Sequence, residues 1–372
     1  MFGCEKAFRI VIIVAVLMSG GCRSRKTTAT ISAVNPYTEH LAPMDIATTG
    51  RIGELVKLES REQRGLVAAL YLVPGTTRLL VVTTGDGFLR SFDIKTAQEV
   101  FKHDLGIVSE SGVGYDRDGH IVIGSRQKEV RNDGFGLTEY IGDIGIWDTM
   151  TGSLLECVDL ICFEGERWAP LLLSAMLDPR GTRVLDHTHL SYSMSDILGG
   201  NVSSISMVNN PDWANQRAIG RMVFDATGER IAIAFQEGGI EVEGGWPILP
   251  LGQNKWGDRK TVTALEFSPN GRHLARIRNE ELSVWDLGVL KGEVSFSGHV
   301  PGGQFLAFTH HTGLLFVGDT DEILIWDIEE GELVLRLPTP GITAITISAD
   351  DRLVIWGDHE GVIHIWGAPN QD

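Results

Sequence analysis

The sequence predicts an all-β protein made of tandem four-stranded antiparallel units. Two recurring phrases and one missing periodicity predict it. The first phrase is an alternating apolar strand that ends in an aromatic residue and Asp, followed by a turn and another strand. It occurs as FLRSFDIKTAQEV with Phe92-Asp93, IGIWDTMTGSLLE with Trp147-Asp148, LSVWDLGVLKGEV with Trp285-Asp286 and ILIWDIEEGELVL with Trp326-Asp327. The second phrase sets turn residues between two apolar runs. It occurs around Asp116 and Gly119, Asp178 and Gly181, Asp225 and Gly228, Ser268 and Gly271, and Asp350-Asp351. Turn residues between alternating runs mean hairpins. Past the N-terminal leader there is no apolar periodicity of the helical kind.

The chain opens MFGCEKAFRIVIIVAVLMSGGCRSRKT. Lys6 and Arg9 give a basic start, Ile10 to Met18 is unbroken apolar sequence, and Ser19, Gly20 and Gly21 precede Cys22. Basic, apolar, then small is the order of a secretory signal. The run is far shorter than the ~20 apolar residues of a spanning helix. A Cys directly after small residues resembles the bacterial lipoprotein signal. The resemblance implies cleavage before Cys22 and lipid on Cys22, which would hold the chain on a membrane of the cell envelope. That family prefers Leu three residues before the Cys, where this chain has Ser19, so an ordinary cleaved signal is the alternative. Residues 1–21 therefore read as a signal peptide. Residues 22–49, rich in Thr, Ser and Ala without sustained periodicity, read as a lipid-anchored flexible tether. The folded body is 50–372.

Within the body, spacing sets the number of units. Asp286 to Asp327 is 41 residues, and Asp327 to Gly367, which follows Trp366 in the last copy, is 40. Asp93 to Asp148 is 55, and the 138 residues from Asp148 to Asp286 make three steps of 46, so two degenerate copies lie between them. This pattern resembles the WD-repeat β-propeller family. Gly298-His299 matches the Gly-His pair that often opens such a repeat. The resemblance covers about residues 50–369 and implies a seven-bladed β-propeller of four-stranded antiparallel blades. The units run roughly 66–106, 107–160, 161–216, 217–256, 257–299, 300–338 and 339–369. The last holds three strands. Closure is expected by pairing of the N-terminal strand, RIGELVKLE from Arg51 to Glu59, with the C-terminal blade, which removes open sheet edges.

Trp147, Trp285, Trp326 and Trp366 are expected in the core, as large apolar bodies filling the wedge between blades. The Asp after the aromatic residue is expected to bond backbone N–H groups of the third-to-fourth turn. The family's hydrogen-bonded network also uses an Asp in the second-to-third turn. Asp86 fits that position, whereas Asn279, Glu360 and the shifted Asp321 depart from it, so the network is expected to be partial.

Composition narrows the chemistry. Of 372 residues, 43% are hydrophobic and 22% charged, which is ordinary for a globular protein. The formal charge of −17 repels phosphate backbones and argues against nucleic acid as the main partner. The sequence has no H-E-x-x-H, no G-x-S-x-G, no P-loop and no paired C-x-x-C. The chain is therefore expected to be no enzyme and to take no cofactor. Residues 116–119, DRDG, are too short for an EF-hand loop and fall at a hairpin turn. His187 and His189 share a strand face, but no third ligand accompanies them, so no metal is expected. The D-x-x-T-G turn at 148–152 is similar to that of quinone-cofactor propellers, but the Trp before the Asp suits WD repeats better. Cys157 and Cys162 would lie ~16 Å apart on an extended strand, against ~7 Å for a disulfide, so they are expected to be free unless a turn intervenes.

In a propeller the second-to-third turns and the blade-to-blade connections share one face, where variation carries function. Residues 124–143, GSRQKEVRNDGFGLTEYIGD, read as a long insertion in such a loop. Trp168, Trp213 and Trp256 fall in predicted blade-to-blade connections. Aromatic and Arg residues are enriched at binding hot spots. Arg126, Lys128, Arg131, Phe135, Tyr140, Trp168, Trp213 and Trp256 are thus the expected contacts for a protein or peptide partner. The alternative for each Trp is a plug between blades. The expectation is a non-catalytic binding scaffold on the bacterial cell envelope. Two other readings are an envelope hydrolase or lyase of glycans or peptides, with its site at the central channel, and an accessory lipoprotein of outer-membrane protein assembly.

Overall fold

The structure, a computed structural model, describes Gly53–Glu59 and most of residues 66–369. Within that span it leaves out 105–112, 116–120, 133–137, 165–173, 188–191, 197–218, 245–248, 252–261, 289–293 and several turn residues. Outside it, Arg9–Val11, Leu41–Ala42 and Met44 are described.

Every described regular element is a β-strand, and the strands form seven antiparallel sheets in chain order. Five of them are four-stranded meanders, the blades of residues 67–104, 113–164, 219–251, 262–299 and 305–338. The expected seven four-stranded blades are thus five. Ser174–Leu177, Arg183–His187 and Tyr192–Asp196 make a three-stranded sheet, and the residues that follow, 197–218, lie outside the described ones. The closing sheet is six-stranded because the two ends of the chain meet in it. Ile342–Ile347, Leu353–Asp358 and Ile363–Pro369 form its meander. Gly53–Glu59 pairs with the last of these from Ile363↔Leu58 to Gly367↔Gly53. Leu41–Ala42 and Arg9–Val11 add to the outside. Leu41 and Met44, within the expected flexible tether of 22–49, are buried in the cores here, so that part of the segment is folded; Arg9–Val11 lies within the expected signal peptide.

Burial ranks the strands within a blade. Second and third strands are short apolar runs buried throughout, such as Ile231–Phe235, Leu314–Gly318 and Leu353–Asp358, as expected of strands covered on both faces. Fourth strands such as Val294–His299 are largely exposed. First strands touch one another at five of the seven junctions between sheets, including Ile342–Ile347 against Val67–Leu72. First strands therefore line the axis, and fourth strands form the rim.

Adjacent sheets share their cores. Ala275, Ile277, Leu282 and Val284 pack with Leu315, Val317, Leu324 and Trp326 of the next blade. Trp147 packs with Val73, Leu80, Val82 and Leu89 of the preceding blade and stacks on its His103 at 6.1 Å. Trp326 stacks on Phe296 at 5.9 Å. The expected wedge role thus holds for both. Gly298 owes its identity to this packing, since a Cβ there would sit 2.3 Å from the Trp326 ring. At the closure, Leu70, Leu79, Val81 and Phe92 pack with Ile355, Ile363 and Ile365.

The third-to-fourth turns behave as expected. Asp93, Asp148, Asp286 and Asp327 each accept backbone N–H bonds within the turn, from 2.7 to 3.1 Å. The same short-range device appears at positions the sequence reading passed over. Asp319 accepts from Asp321 N and Glu322 N, and Asp358 from Glu360 N and Val362 N. The indole N–H groups of Trp285, Trp326 and Trp366 are buried and meet no acceptor among the described residues. Asp86 lies outside the described residues.

Candidate functional site

One blade breaks the repeat. In the blade of residues 305–338 the third-to-fourth ladder runs four pairs, Glu322↔Pro338 to Ile325↔Leu335, before a register shift at Trp326. In the second blade the shift falls at the same place, at Trp147, but the ladder then runs nine pairs, from Ile146↔Glu156 to Thr138↔Glu164. The second-to-third ladder lengthens equally, to eleven pairs against six in the blade of residues 262–299. The five added rows raise a three-stranded arm on the order of 17 Å beyond the turns of the neighbouring blades.

This corrects the loop reading of 124–143. Those residues lie mostly in Ile121–Asn132 and Thr138–Asp148, and the third strand of the arm, Leu154–Glu164, runs past the expected blade boundary at 160. The inner strand, Val113–Tyr115, pairs only with 122–124, so it supports the base of the arm and not its length.

Register sorts the arm residues by face. One face carries the rows Val130–Tyr140–Cys162, Gln127–Gly142–Leu160 and Ser125–Ile144–Val158. The other carries Arg131–Glu139–Phe163, Glu129–Ile141–Ile161 and Arg126–Asp143–Asp159. The alternation is not clean: the rows Asn132–Thr138–Glu164 and Ile123–Ile146–Glu156 add Glu164 and Glu156 to the first set, and the second set holds Ile141, Ile161 and Phe163 beside its charges. Of the expected contacts, Arg126 and Arg131 fall in the second set of rows, opposite Asp143 and Glu139, and Tyr140 falls in the first. Lys128 sits at the register shift between Gln127 and Glu129. Phe135, Trp168, Trp213, Trp256 and Cys22 lie outside the described residues. Cys157 and Cys162 stand on one strand with no turn between them, which leaves them too far apart for a disulfide with each other.

The opposite end of the sheets, where the first-to-second turns lie, is stitched across blades. Arg230 donates from Nε to Asp225 at 2.8 Å and from Nη2 to the Gly271 carbonyl of the next blade at 2.6 Å. Asp351 accepts from the backbone N–H groups of His310 and His311, 41 and 40 residues away, at 2.6 and 2.7 Å. His310-His311 is therefore a seam, not a free turn. Burial pushes the Asp351 carboxyl up, but the His310 and His311 hydrogen bonds outweigh it and hold the group below the usual carboxylate range. At the other end, Asp358 is likewise held down, against burial, by His364 and the turn N–H groups, and His364 stacks on Trp356 at 5.0 Å.

On the axis, Glu266 of Val262–Phe267 is half-buried, and burial pushes its carboxyl up to about 8. Among the described residues no group of three or more His, Cys, Asp or Glu is placed to hold a metal ion. His187 ends a strand, and His189 lies outside the described residues.

No family model matches the chain, and no curated protein matches it. Solved structures do. The β-propeller domain of Cps50 (Swd1) from Myceliophteria thermophila is similar over 85% of this chain and 99% of its own, at 15% identity and a TM-score of 0.65. A likeness at that identity speaks for the fold, and the chain is a β-propeller with WD-repeat-like blades.

Proposed function

We propose that this chain is a non-catalytic scaffold that binds a protein or peptide partner through the arm of its second blade. In this reading the seven sheets are the seven blades of one closed ring, exported and held on the bacterial cell envelope by a lipidated Cys22. The observation that carries it is the arm: one blade of a regular repeat lengthened by five rows on both of its outer ladders. Surface loops tolerate extra residues at little thermodynamic cost. A paired sheet is different, because it presents a surface already ordered and so lowers the entropic cost of binding. The net charge of −17 points the same way, toward a protein partner and not nucleic acid. A channel enzyme calls for several perturbed acids and His around one mouth. Among the described residues, the first strands bring Glu266 to the axis as a lone acid with a raised pKa.

Register supplies a clean test. Arg126 and Asp143 are opposite each other, so residues 127–142 can be replaced by an Asn-Gly turn that closes the hairpin at blade height. Cross-linking and capture from membranes would compare the full chain with this shortened form. A partner captured by the full chain and lost from the shortened form, at equal thermal stability, is the expected result. The same partners captured by both would overturn the reading.

A further inference from the structure

We infer that Leu154–Glu164, the outer edge of the arm, takes up an added β-strand from an apolar partner segment with a Lys or Arg at its centre. The inference rests on the scaffold reading and names its chemistry. Sheet order puts this strand at the rim, with no paired strand on its far side among the described residues. An open edge offers a row of N–H and C=O groups for pairing.

The rim strands of the other four-stranded blades are guarded. Leu249–Leu251 is three residues with Pro250 at its centre, and Leu333–Pro338 carries Arg336 and ends in Pro338. Gln98–Asp104 carries Lys102, and Val294–His299 pairs over four rows before its register shift. The opposite edge of the arm itself is guarded too. Residues 125–132 hold Arg126, Lys128 and Arg131, with a register shift at Lys128. Lys, Pro, short strands and bulges are how natural sheets block edge pairing. Leu154–Glu164 has no Lys, no Arg and no Pro, and nine rows run without a shift. One arm therefore has a blocked edge and an open one.

Charge names the occupant. The open edge carries Glu156, Asp159 and Glu164 and no cation. In the row Arg126–Asp143–Asp159 the single cation lies beyond Asp143, and the two carboxylates are directly opposed, an unfavourable cross-strand pair. A Lys or Arg on a strand added beyond Asp159 completes the row with alternating charge. Cys157, Val158, Leu160, Ile161, Cys162 and Phe163 ask for apolar neighbours around it. A second copy fits poorly, because antiparallel self-pairing about Leu160 sets Glu156 against Glu164 at both ends.

The test uses the full chain and three capped, labelled nine-residue peptides: TVTVKVTVT, the same with Glu for Lys, and the Lys peptide N-methylated at alternate residues. Fluorescence anisotropy should show the Lys peptide binding, the Glu peptide binding roughly tenfold more weakly, and the N-methylated one not at all. Asp159→Lys should reverse the preference between Lys and Glu peptides. That variant also places a cation opposite Asp143, so folding is not at risk. Equal binding of Lys and Glu peptides, no binding, an unchanged preference in Asp159→Lys, or self-association of the full chain through this edge would each overturn the inference. If capture still depends on the arm while the peptides fail, the scaffold reading stands and the edge inference falls. If capture is independent of the arm, the scaffold reading falls with it.

Discussion

The blade of residues 305–338 and the blade of residues 113–164 start from the same design and diverge. Both set Trp-Asp at the end of the third strand, and both shift register at that Trp. In the first, the outer ladder stops at Pro338; in the second it continues to Glu164. The inner end of a blade is locked between neighbours by Trp wedges and inter-blade turn contacts, so its length cannot vary. The outer end, beyond the second-to-third turns of the other blades, is where the second blade's ladders lengthen. A repeat fold is thereby free to graft a surface at one end while the other keeps the ring together.

The comparison breaks first on packing. Trp326→Ala should cost about 3–5 kcal/mol by urea unfolding, since a buried ring between two blades leaves a cavity. Tyr140→Ala on the arm should cost under about 1 kcal/mol. A comparable loss at Tyr140 would mean the arm belongs to the core. Gly298→Ala comes next. Its Cβ meets the Trp326 ring, and about 1–3 kcal/mol of overpacking strain is expected by the same measurement.

The stitched end of the ring should be acid-labile where the arm is not. Asp351 has its pKa lowered in the folded state, so the stability it contributes is full above the ordinary carboxylate range and fades as pH falls through the folded value. Asp351→Asn should therefore lose about 1.5–3 kcal/mol at pH 7, and less as the pH drops below about 4. A constant difference across that range would remove the carboxylate from the seam. Glu266 has the opposite sign. Its folded pKa of about 8 lies above the ordinary 4.5, so the folded state keeps a proton that the unfolded state releases. Stability then falls as pH rises from 4.5 toward 8. Glu266→Gln should flatten that slope and raise the melting temperature at pH 8 but not at pH 4. Smallest in stability is Cys22→Ser, which should leave folding untouched yet move the exported chain from the membrane to the soluble fraction. Retention on the membrane would remove the lipid anchor.

Much of the ring was legible because its signals are local. Asp93, Asp148, Asp286 and Asp327 act within two or three residues of themselves, and Trp147 and Trp326 stand out by size. The strand from Arg51 to Glu59 was expected to close the ring, and the structure pairs Gly53–Glu59 there. The arm was misread for a physical reason. Residues 125–132, SRQKEVRN, hold a single apolar residue, Val130, so no apolar alternation marks them as a strand. Its third strand was cut at 160 because the repeat length was carried across it. The turn-capping Asp319 and Asp358 escaped notice because they stand at strand ends, a step before the turn position the family uses.

Local signals were present in the chain as written: strand alternation, hairpin turns and the large Trp at the strand end, together with the interval at which they recur. Those depend on backbone propensity and side-chain size. The partners of Asp351 and Arg230 across a repeat interval, the two faces of the arm, and its one blocked and one open edge came from the fold. Each depends on register between strands distant in sequence, and a one-residue change of register exchanges the faces without altering any local signal.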